Sequence, residues 1–399
     1  MKTLVQFGAG NIGRSFIGQL FARNGFEVVF VDVAETIVDL LNERHEYRLV
    51  IKRNGQGDET LSIKNVRAIN ANDTAAVAQA VAGADYVATS VGKNALPYIF
   101  PNIAGGIALR EKLYPGKCLD IIIAENIHNG ATFFRESLTA LLPEGFPLSR
   151  RVGLVETSIG KMVPIMKAEE IAKDPLWVFS EEYNELIVDR RGFLGPLPEI
   201  ATLNPVENIK AYVDRKLFIH NMGHAATAYL GYAADHDSVY IWQALENQKV
   251  FERVRGAMSQ SAAALVAAYP EDMTGEALEA HIANLLDRFR NRALGDTIFR
   301  VGRDLYRKLD HEDRLVGAVL LAARNGLPYT HIAEAIRASL NFGAAGEDGR
   351  PFPSDVTFLA KEAPRGMRWV LTSVSKLDER DDLERNIIES IAGPETHNE

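Results

Sequence analysis

The sequence predicts an α/β protein with an N-terminal, doubly wound parallel sheet that carries a β-hairpin insertion, followed by a mostly α-helical region. Short apolar runs alternate with helical patterns through the first half of the chain, and a glycine-rich turn follows the first run. From about Val206 onward, helical periodicity dominates. A chain of 399 residues is too long for one ordinary core, so we expect two domains, at 1–203 and 204–399.

Composition limits the classes of function. The net charge of −9 lacks the basic excess that a nucleic-acid surface needs, and no apolar run approaches the ~18 residues that span a bilayer. Cys118 is the only cysteine, which excludes an internal disulfide and a thiolate-cluster metal site. A strand pattern begins almost at Met1, so we expect no signal peptide. We therefore expect a cytoplasmic protein that acts on a small molecule, without nucleic-acid or membrane partners.

The first strand pattern, at 3–7, leads directly into a glycine-rich turn, which is followed by a helical pattern and by a second strand that ends in an acid. The residues that would meet a dinucleotide here are Gly8, Gly10, Asn11, Ile12, Gly13 and Asp32. Gly8 permits a tight turn, Gly10 lets the backbone approach a pyrophosphate, and Gly13 lets the helix pack on the strand. The N-terminus of the helix offers free N–H groups and the positive end of its dipole to the phosphates.

Asp32 selects among dinucleotides. Its carboxylate can accept hydrogen bonds from both ribose hydroxyls, and its charge would repel a 2′-phosphate, so NAD is favoured over NADP. A glycine turn without a ligand is the competing interpretation, and the flanking strands together with the acid make it the weaker one. The first domain is therefore predicted to be a Rossmann-type NAD-binding domain.

The rest of the first domain continues the same pattern. Alternating residues on both sides of Asn54-Gly55 predict the inserted hairpin, with strands at 47–53 and 60–66. Buried parallel strands are then predicted at 85–91, 118–124 and 151–155.

Two polar residues are predicted near the carboxyl ends of these strands. Asn126 follows a buried strand and either contacts a ligand or serves as a turn or cap residue. Lys161 lies in the loop after the last of these strands, where it either binds an anion or is an ordinary loop lysine.

The stretch 214–224 concentrates one lysine, one asparagine and two histidines in an otherwise apolar segment. On an ideal α-helix each residue advances ~100°, so Lys216, His220 and His224 share a face, and Asn221 lies at its margin. A lysine in an apolar wall loses hydration, which lowers its pKa and makes it a plausible general base. The competing interpretation is a surface lysine beside a hydrogen-bonded core histidine.

The motifs in both halves match a known family. Lys216, Asn221 and His224 are spaced K-x-x-x-x-N-x-x-H, and Asn126 stands in Glu-Asn-Ile-His-Asn-Gly. With the glycine turn, the hairpin and the chain length, these motifs resemble the long-chain, metal-independent polyol dehydrogenases over nearly the whole chain. In the family member with the most similar N-terminus a glycine follows the arginine of the turn. Here Ser15 stands in its place, inside the helix, and we expect little effect.

The resemblance implies hydride transfer between NAD and C5 of mannitol 1-phosphate, giving fructose 6-phosphate, without a metal ion. It implies that Lys216 takes the alcohol proton in oxidation and returns it in reduction. Asn126 and Asn221 would donate hydrogen bonds to the reacting oxygen as charge develops. His224 would orient the substrate through its hydroxyls.

A phosphorylated substrate needs a basic site in a chain of net negative charge. The densest basic run contains Arg300, Arg303, Arg307, Lys308 and Arg314. The candidate phosphate ligands are Arg303, Arg307 and Lys308, with Lys161 as an outlier. Acids in the same run, at 304, 310, 312 and 313, make a solvated or ion-paired helix face the competing interpretation.

Two other functions remain open on the sequence. One is a dehydrogenase of the same family that acts on an unphosphorylated polyol or on a hexuronate-derived acid. The other is an NAD-binding sensor without turnover, against which the Lys216, Asn221 and His224 set argues. A helical second domain large enough to close a cleft alone makes a monomer plausible.

Overall fold

The structure is a computed structural model that describes residues 1–127, 129–164, 166 and 168–393. The chain divides into two compact units, Met1–Ile209 (unit 1) and Lys210–Glu399 (unit 2). The predicted domain division after residue 203 falls at the start of a strand that still pairs within unit 1. That division stays a prediction, a few residues before the boundary between the two units.

Unit 1 contains two sheets. The strands are β1 (Thr3–Phe7), β2 (Glu27–Asp32), β3 (Glu46–Ile51), β4 (Glu59–Lys64), β5 (Val66–Asn70), β6 (Tyr86–Thr89), β7 (Leu119–Ile123), β8 (Val152–Ser158), β9 (Val178–Ser180), β10 (Leu186–Asp189) and β11 (Leu203–Val206). The large sheet has the order β11-β10-β8-β7-β6-β1-β2-β5, and the small sheet has the order β4-β3-β9.

The parallel part of the large sheet confirms the predicted doubly wound fold. Strands β5, β2, β1, β6, β7 and β8 lie side by side in this order and pair in parallel. The order reverses between β1 and β6, and sheets of this kind bind ligands at the carboxyl ends of the strands where the order reverses. The glycine turn follows β1 and Gly92 follows β6, so both loops lie at that point.

The strands of this sheet are apolar on both faces because both faces are covered. Leu4 of β1 packs in one hydrophobic core, whereas Val5 and Phe7 pack in the other. This alternation follows from the two-residue repeat of a strand. It explains why the buried strands read as continuous apolar runs rather than as alternating patterns.

The predicted hairpin is present, and it lies in the small sheet. β3 and β4 pair antiparallel from Glu46 opposite Lys64 to Ile51 opposite Glu59. The pattern at 60–66 looked like one strand, but Asn65, with φ of 60°, separates β4 from β5. β5 then returns to the large sheet beside β2. The short strands β9 to β11 carried no sequence signal that we recognised.

Helices make up the rest of the fold. In unit 1 the α-helices are α1 (Gln19–Ala22), α2 (Glu35–Arg44), α3 (Thr74–Gly83), α4 (Leu96–Leu113), α5 (Gly130–Thr139), α6 (Leu148–Arg151) and α7 (Ala168–Lys173). From the unit boundary onward they are α8 (Ile209–Arg215), α9 (Met222–Ala234), α10 (Ile241–Ala244), α11 (Gln248–Ala268), α12 (Gly275–Phe289), α13 (Ile298–Gly302), α14 (Leu305–Lys308), α15 (Val316–Arg324), α16 (Thr330–Ser339), α17 (Pro353–Lys361), α18 (Met367–Trp369) and α19 (Asp382–Ala392). Short 3₁₀ segments lie at Arg190–Gly192, Arg292–Leu294 and Ala363–Arg365, and π-helical segments at Gly13–Gly18, Lys216–Asn221 and Val370–Val374.

Unit 2 confirms the predicted mostly helical region. Asn247 separates α10 from α11, because its side chain accepts the N–H of Lys249 at 3.0 Å and caps α11. Within the described residues, no helix combines the length and the apolar character needed to cross a membrane.

Candidate active site

The glycine-rich turn has the geometry that a pyrophosphate requires. Gly8 has φ of +92°, and a Cβ atom there would lie 2.7 Å from the carbonyl oxygen of Ser90. A Cβ atom on Gly13 would collide with the carbonyl oxygen of Gly8. Gly10 is different, because a Cβ atom there would meet no described atom within 4 Å. Gly8 and Gly13 are therefore needed by the protein itself, whereas the space at Gly10 is open to a ligand.

The acid at the end of β2 lies beside this turn. Asp32 accepts the backbone N–H of Ala9 at 2.7 Å through one carboxylate oxygen and that of Ala34 at 3.0 Å through the other. Asn11 is exposed and Ile12 half-buried at the start of the following helix. The structure thus brings the sequence-predicted cofactor residues together at one end of the sheet.

A buried arginine, Arg14, forms hydrogen bonds with the backbone of the glycine-rich turn. Arg14 donates from Nε to the carbonyl oxygen of Ala9 at 2.6 Å and from Nη1 to that of Pro175 at 3.1 Å. Tyr47 donates its hydroxyl to the carbonyl oxygen of Arg14 at 2.6 Å. Burial lowers the pKa of Arg14. Arg14 was not among the sequence-predicted site residues, although an arginine directly after the glycine-rich turn was the available signal.

Asn126 stands at the carboxyl end of β7, where the sequence analysis expects it. Asn126 itself is exposed. The preceding residue, Glu125, is buried and accepts the N–H groups of Val91 and Gly92 at 2.8 and 2.9 Å. Burial raises the pKa of Glu125. Glu125 therefore ties the ends of β6 and β7 together and fixes the backbone that carries Asn126, while His128 of the same motif lies outside the described residues.

Lys161 is a poor candidate for a phosphate ligand. Its side chain is buried in unit 1, and its ammonium donates to the carbonyl oxygen of Tyr183 at 2.7 Å and to Oδ1 of Asn184 at 3.1 Å. It also lies 5.3 Å from the ring centroid of Phe16. A phosphate would have to displace these contacts. The structure favours the interpretation of Lys161 as a residue that holds its own loop.

The helix that carries the predicted catalytic residues is not a plain α-helix. α8 and α9 are joined by the π-helical segment Lys216–Asn221, in which Met222 donates its N–H to the carbonyl of Leu217, five residues earlier. The expectation that Asn221 lies at the margin of the Lys216 face is therefore wrong. A turn with i→i+5 bonds contains one residue more than an α-turn, which brings Asn221 back towards the face of Lys216.

Lys216 has the electrostatic character of a general base. The side chain is half-buried, and the four residues that follow it are buried. Burial lowers the pKa of Lys216 to about 8, and repulsion by Arg314 acts in the same direction. A substantial fraction of the amine is therefore neutral at mildly alkaline pH, which an ordinary lysine is not.

His224 stacks on one aromatic ring and lies beside one carboxylate. Its ring stacks on Phe289 with the centroids 4.5 Å apart and the planes 7° from parallel. Its Nε2 atom lies 3.4 Å from Oδ2 of Asp296, which is buried and pairs with Arg300 through its other oxygen. Burial holds the pKa of His224 well below its usual value, and Arg300 adds to this effect. The lowered pKa of His224 favours its neutral form.

Asp296 was missed by the sequence analysis. The only signal was an acid between a glycine and the cap residue of α13, Thr297, which is common at helix starts.

His220 has a different character from His224. It is buried, its ring centroid lies 5.6 Å from that of Phe289, and burial lowers its pKa well below the usual value. These features are those of a core histidine whose neutral form is favoured.

Two arginines of the basic run form ion pairs with acidic residues. Arg307 pairs with Asp304 and lies 3.6 Å from Asp313. Arg314 pairs with Asp313 at 2.7 Å. Both arginines therefore have the acidic partners that the competing interpretation expected.

Arg303 and Lys308 differ from these. Arg303 is exposed, lies over the rings of Phe299 and Phe352 at 5.7 and 5.3 Å, and forms no ion pair with any described residue. Lys308 is buried and donates to the carbonyl oxygen of Arg303, and burial lowers its pKa to about 7. Among the predicted phosphate ligands, Arg303 therefore combines an exposed guanidinium with the lack of an ion-pair partner in the described part of the chain.

No three His, Cys, Asp or Glu side chains gather as possible metal ligands in the part of the chain that the structure describes. The expectation of a metal-free reaction stays a prediction.

The chain is similar to dehydrogenases along nearly its whole length. A family model described as the mannitol dehydrogenase Rossmann domain matches residues 2–202, and one described as the mannitol dehydrogenase C-terminal domain matches residues 208–387. The chain is 37% identical over 340 residues to a mannitol-1-phosphate 5-dehydrogenase of Brevibacillus brevis, and the match covers 85% of each protein.

Solved structures of low sequence identity share the fold. A D-sorbitol dehydrogenase in substrate-free form has a TM-score of 0.78 at 16% identity, covering 96% of this chain and 91% of that one. The Pseudomonas fluorescens mannitol 2-dehydrogenase, in a ternary complex with NAD and D-mannitol, has a TM-score of 0.74 at 14% identity, covering 98% and 90%. The resemblance seen in the motifs is confirmed by the family models and by the relative of higher identity. The chain therefore belongs to the mannitol dehydrogenase family of NAD-dependent polyol dehydrogenases.

Proposed function

We propose that this chain interconverts mannitol 1-phosphate and fructose 6-phosphate by hydride transfer between C5 and NAD, with Lys216 as the general acid and base and without a metal ion. The observation that carries the proposal is a half-buried lysine on a π-helical turn that also contains Asn221, in a setting where burial lowers the pKa of Lys216 to about 8. The 37% identical relative from Brevibacillus brevis, which is a mannitol-1-phosphate 5-dehydrogenase, supports the choice of substrate.

The proton and the hydride leave the substrate along separate routes. In oxidation, the neutral amine of Lys216 accepts the proton of the C5 hydroxyl, and loss of the C5 hydride leaves a ketone. NAD, held by the glycine turn and Asp32, would supply the acceptor for that hydride. In reduction, the ammonium of Lys216 returns the proton to the oxygen as the hydride arrives at C5.

Hydrogen-bond donors stabilise the charge that develops on the oxygen between these two states. Asn221 donates its side-chain N–H to that oxygen, and such a donor is commonly worth ~3 to 4 kcal/mol in the transition state. Asn126 keeps the donor role that the family resemblance implies. His224, neutral and fixed against Phe289, offers a hydrogen-bonding group to the neighbouring substrate hydroxyls.

The cofactor is bound at the glycine turn. The open space at Gly10 and the free N–H groups of the following helix suit the pyrophosphate, and Asp32 beside the turn suits an unphosphorylated ribose. These features support NAD over NADP. The single, half-buried Cys118 supports a reducing, cytoplasmic setting.

The phosphate is bound by the basic run of unit 2, with Arg303 as the first ligand. Its guanidinium is exposed and has no ion-pair partner among the described residues, so phosphate binding breaks no existing pair there. Arginine also suits a phosphate because its planar fork can donate two hydrogen bonds at once. Arg307 contributes less, because Asp304 already neutralises it.

The test is a comparison of substrates. The oxidation of NADH is followed with fructose 6-phosphate, with free fructose and with a keto-uronate at equal concentrations. We expect fructose 6-phosphate to give the highest kcat/KM by at least tenfold. Equal values for free fructose would refute the phosphorylated substrate, and a preference for the keto-uronate would favour the hexuronate alternative.

A substitution at Lys216 distinguishes an enzyme from an NAD-binding sensor. Lys216→Ala is expected to lower turnover by orders of magnitude while NADH still binds, as followed by the quenching of protein fluorescence. Turnover equal to that of the wild type would remove Lys216 from the mechanism. The sedimentation of the purified protein tests the further expectation of a monomer.

A further inference from the structure

The π-helical turn that carries Lys216 and Asn221 disturbs the backbone bonding of its own helix. In an α-helix the N–H of Met222 would bond to the carbonyl of Phe218, four residues earlier. Here that N–H is directed to the carbonyls of Leu217 and Ile219. The carbonyl of Phe218 has lost its usual donor, and a buried carbonyl without a donor is costly.

A serine on a neighbouring helix supplies the missing donor. Ser261 of α11 is fully buried, and its hydroxyl donates to the carbonyl oxygen of Phe218 at 2.7 Å. This bond comes from a separate helix, so it acts on the turn from outside. In an α-helical turn the same carbonyl would accept the N–H of Met222, so the serine bond replaces that donor in the π-helical form.

Close packing holds α11 in place to make this bond. Met258, which lies on α11 one helical turn before Ser261, packs so tightly on Gly223 that a Cβ atom there would lie 2.6 Å from its sulfur. Phe218 is in turn packed against Gly317, where a Cβ atom would lie 2.8 Å from its ring. These contacts fix α11 and Phe218 close to the turn.

We propose that Ser261 is a positioning residue that stabilises the π-helical turn and thereby keeps Lys216 and Asn221 on one face. Relaxation of the turn to an α-helix would rotate one flank by ~100° relative to the other. The flank that moves is the short α8 with Lys216, because α9 is buried continuously from Met222 through Gly231 except at His224. The kinetic consequence of this inference rests on the proposed function.

The chain provides a matched control for the loss of a buried hydroxyl. Ser339 is also fully buried in unit 2, and its hydroxyl also donates to a backbone carbonyl, that of Ile336, at 2.7 Å. Ser261→Ala and Ser339→Ala therefore remove the same kind of bond, and both are expected to lower the melting temperature. Only Ser261→Ala is expected to reduce kcat, by about 10²-fold as for a misplaced catalytic group, with the affinity for NADH unchanged.

Ser261→Cys provides a graded variant. It keeps the size of the side chain and has only a weak donor, so its kcat is expected between those of the wild type and Ser261→Ala. If Ser261→Ala unfolds at the assay temperature, Ser261→Cys decides the question instead. A kcat for the folded Ser261 variant that equals that of Ser339→Ala would overturn the inference.

A measurement without turnover separates this inference from the proposed function. The acetylation of Lys216 by acetic anhydride is followed against pH by mass spectrometry of the Lys216 peptide. The midpoint is expected near 8 in the wild type and in Ser339→Ala, and higher in Ser261→Ala, because the rotated lysine regains water. Equal midpoints in the two variants refute the role of Ser261. A wild type that labels as expected but does not reduce fructose 6-phosphate refutes only the proposed substrate.

Discussion

Asp296 places one carboxylate oxygen 3.4 Å from Nε2 of His224 and pairs with Arg300 through the other. This acid lies between a neutral histidine and a cation inside the helical unit, where it has little exposure to water. A carboxylate that faces Nε2 favours the tautomer with the proton on that nitrogen, which leaves Nδ1 as a hydrogen-bond acceptor. We therefore expect Nδ1 of His224 to be the atom that accepts a hydrogen bond from a substrate hydroxyl.

Asp296→Asn is expected to weaken substrate binding more than cofactor binding. The amide removes the negative charge that fixes the histidine tautomer and balances Arg300, while keeping the size of the side chain. Hydrogen bonds to charged groups contribute ~1.5 to 3 kcal/mol, so KM for fructose 6-phosphate should rise ~10- to 100-fold, as measured from initial rates. Asp287→Asn, which changes an exposed acid of the same unit, is the control. A KM for Asp296→Asn within twofold of the wild type would contradict this role.

The pH dependence of the reaction follows from Lys216. Oxidation needs the neutral amine and should fall as the pH drops below about 8, whereas reduction needs the ammonium and should fall as the pH rises above about 8. Initial rates in both directions between pH 6 and 10 test this, with the cofactor saturating. An oxidation rate that stays constant down to pH 6 would show that another group takes the proton.

Lys216 is expected to lower the free energy of unfolding of the protein. Its pKa falls from 10.5 in the unfolded chain to about 8 in the folded one, so between these values the unfolded state binds more protons and stability rises with pH. Below about pH 8 the full penalty is present. At 1.36 kcal/mol per pKa unit it is at most about 3 kcal/mol, and less to the extent that water reaches the half-buried side chain.

Lys216→Met should therefore raise the free energy of unfolding at pH 7 and raise it less at pH 10, while abolishing turnover. Urea unfolding at the two pH values measures the difference. Lys249→Met, at an exposed position of α11, is expected to change neither. A Lys216→Met protein that is less stable than the wild type at pH 7 would mean that the lysine gains more from its contacts than it loses in hydration.

How much the sequence reveals depends on whether a feature is local. The glycine turn and Asp32 could be predicted because strand, turn, helix and acid follow one another along the chain, and the strand order then brings them together. The π-helical turn could not, because Lys216–Asn221 contains no glycine or proline that would mark it. Its form depends on packing against α11, far along the chain. The role of Asp296 could not be predicted for the same reason, since only folding brings this residue close to His224.

Two glycine-to-alanine changes in the turn are expected to have different effects, one on stability and the other on NADH affinity. Gly13→Ala places a methyl group against the carbonyl of Gly8, so it should destabilise unit 1 itself. Gly10→Ala meets no described atom within 4 Å in the free protein, so the melting temperature should stay near that of the wild type. Its methyl group would instead occupy the space proposed for the pyrophosphate. Thermal unfolding and NADH titration separate the two effects, and normal NADH affinity in Gly10→Ala would argue against that placement.

The two arginines of the basic run offer a final comparison. Arg303→Met is expected to raise KM for fructose 6-phosphate ~10- to 100-fold, because a charge-assisted hydrogen bond to the phosphate is lost. Arg307→Met should have a smaller effect, since Asp304 and Asp313 already hold that guanidinium. Free fructose, tested at high concentration, is the internal control, because Arg303→Met should leave its poor kcat/KM unchanged. If both sugars lose equally, Arg303 supports the fold of the site rather than the phosphate. If Arg307→Met has the larger effect on fructose 6-phosphate, the phosphate competes successfully with the acidic partners of Arg307, and the assignment passes to that residue.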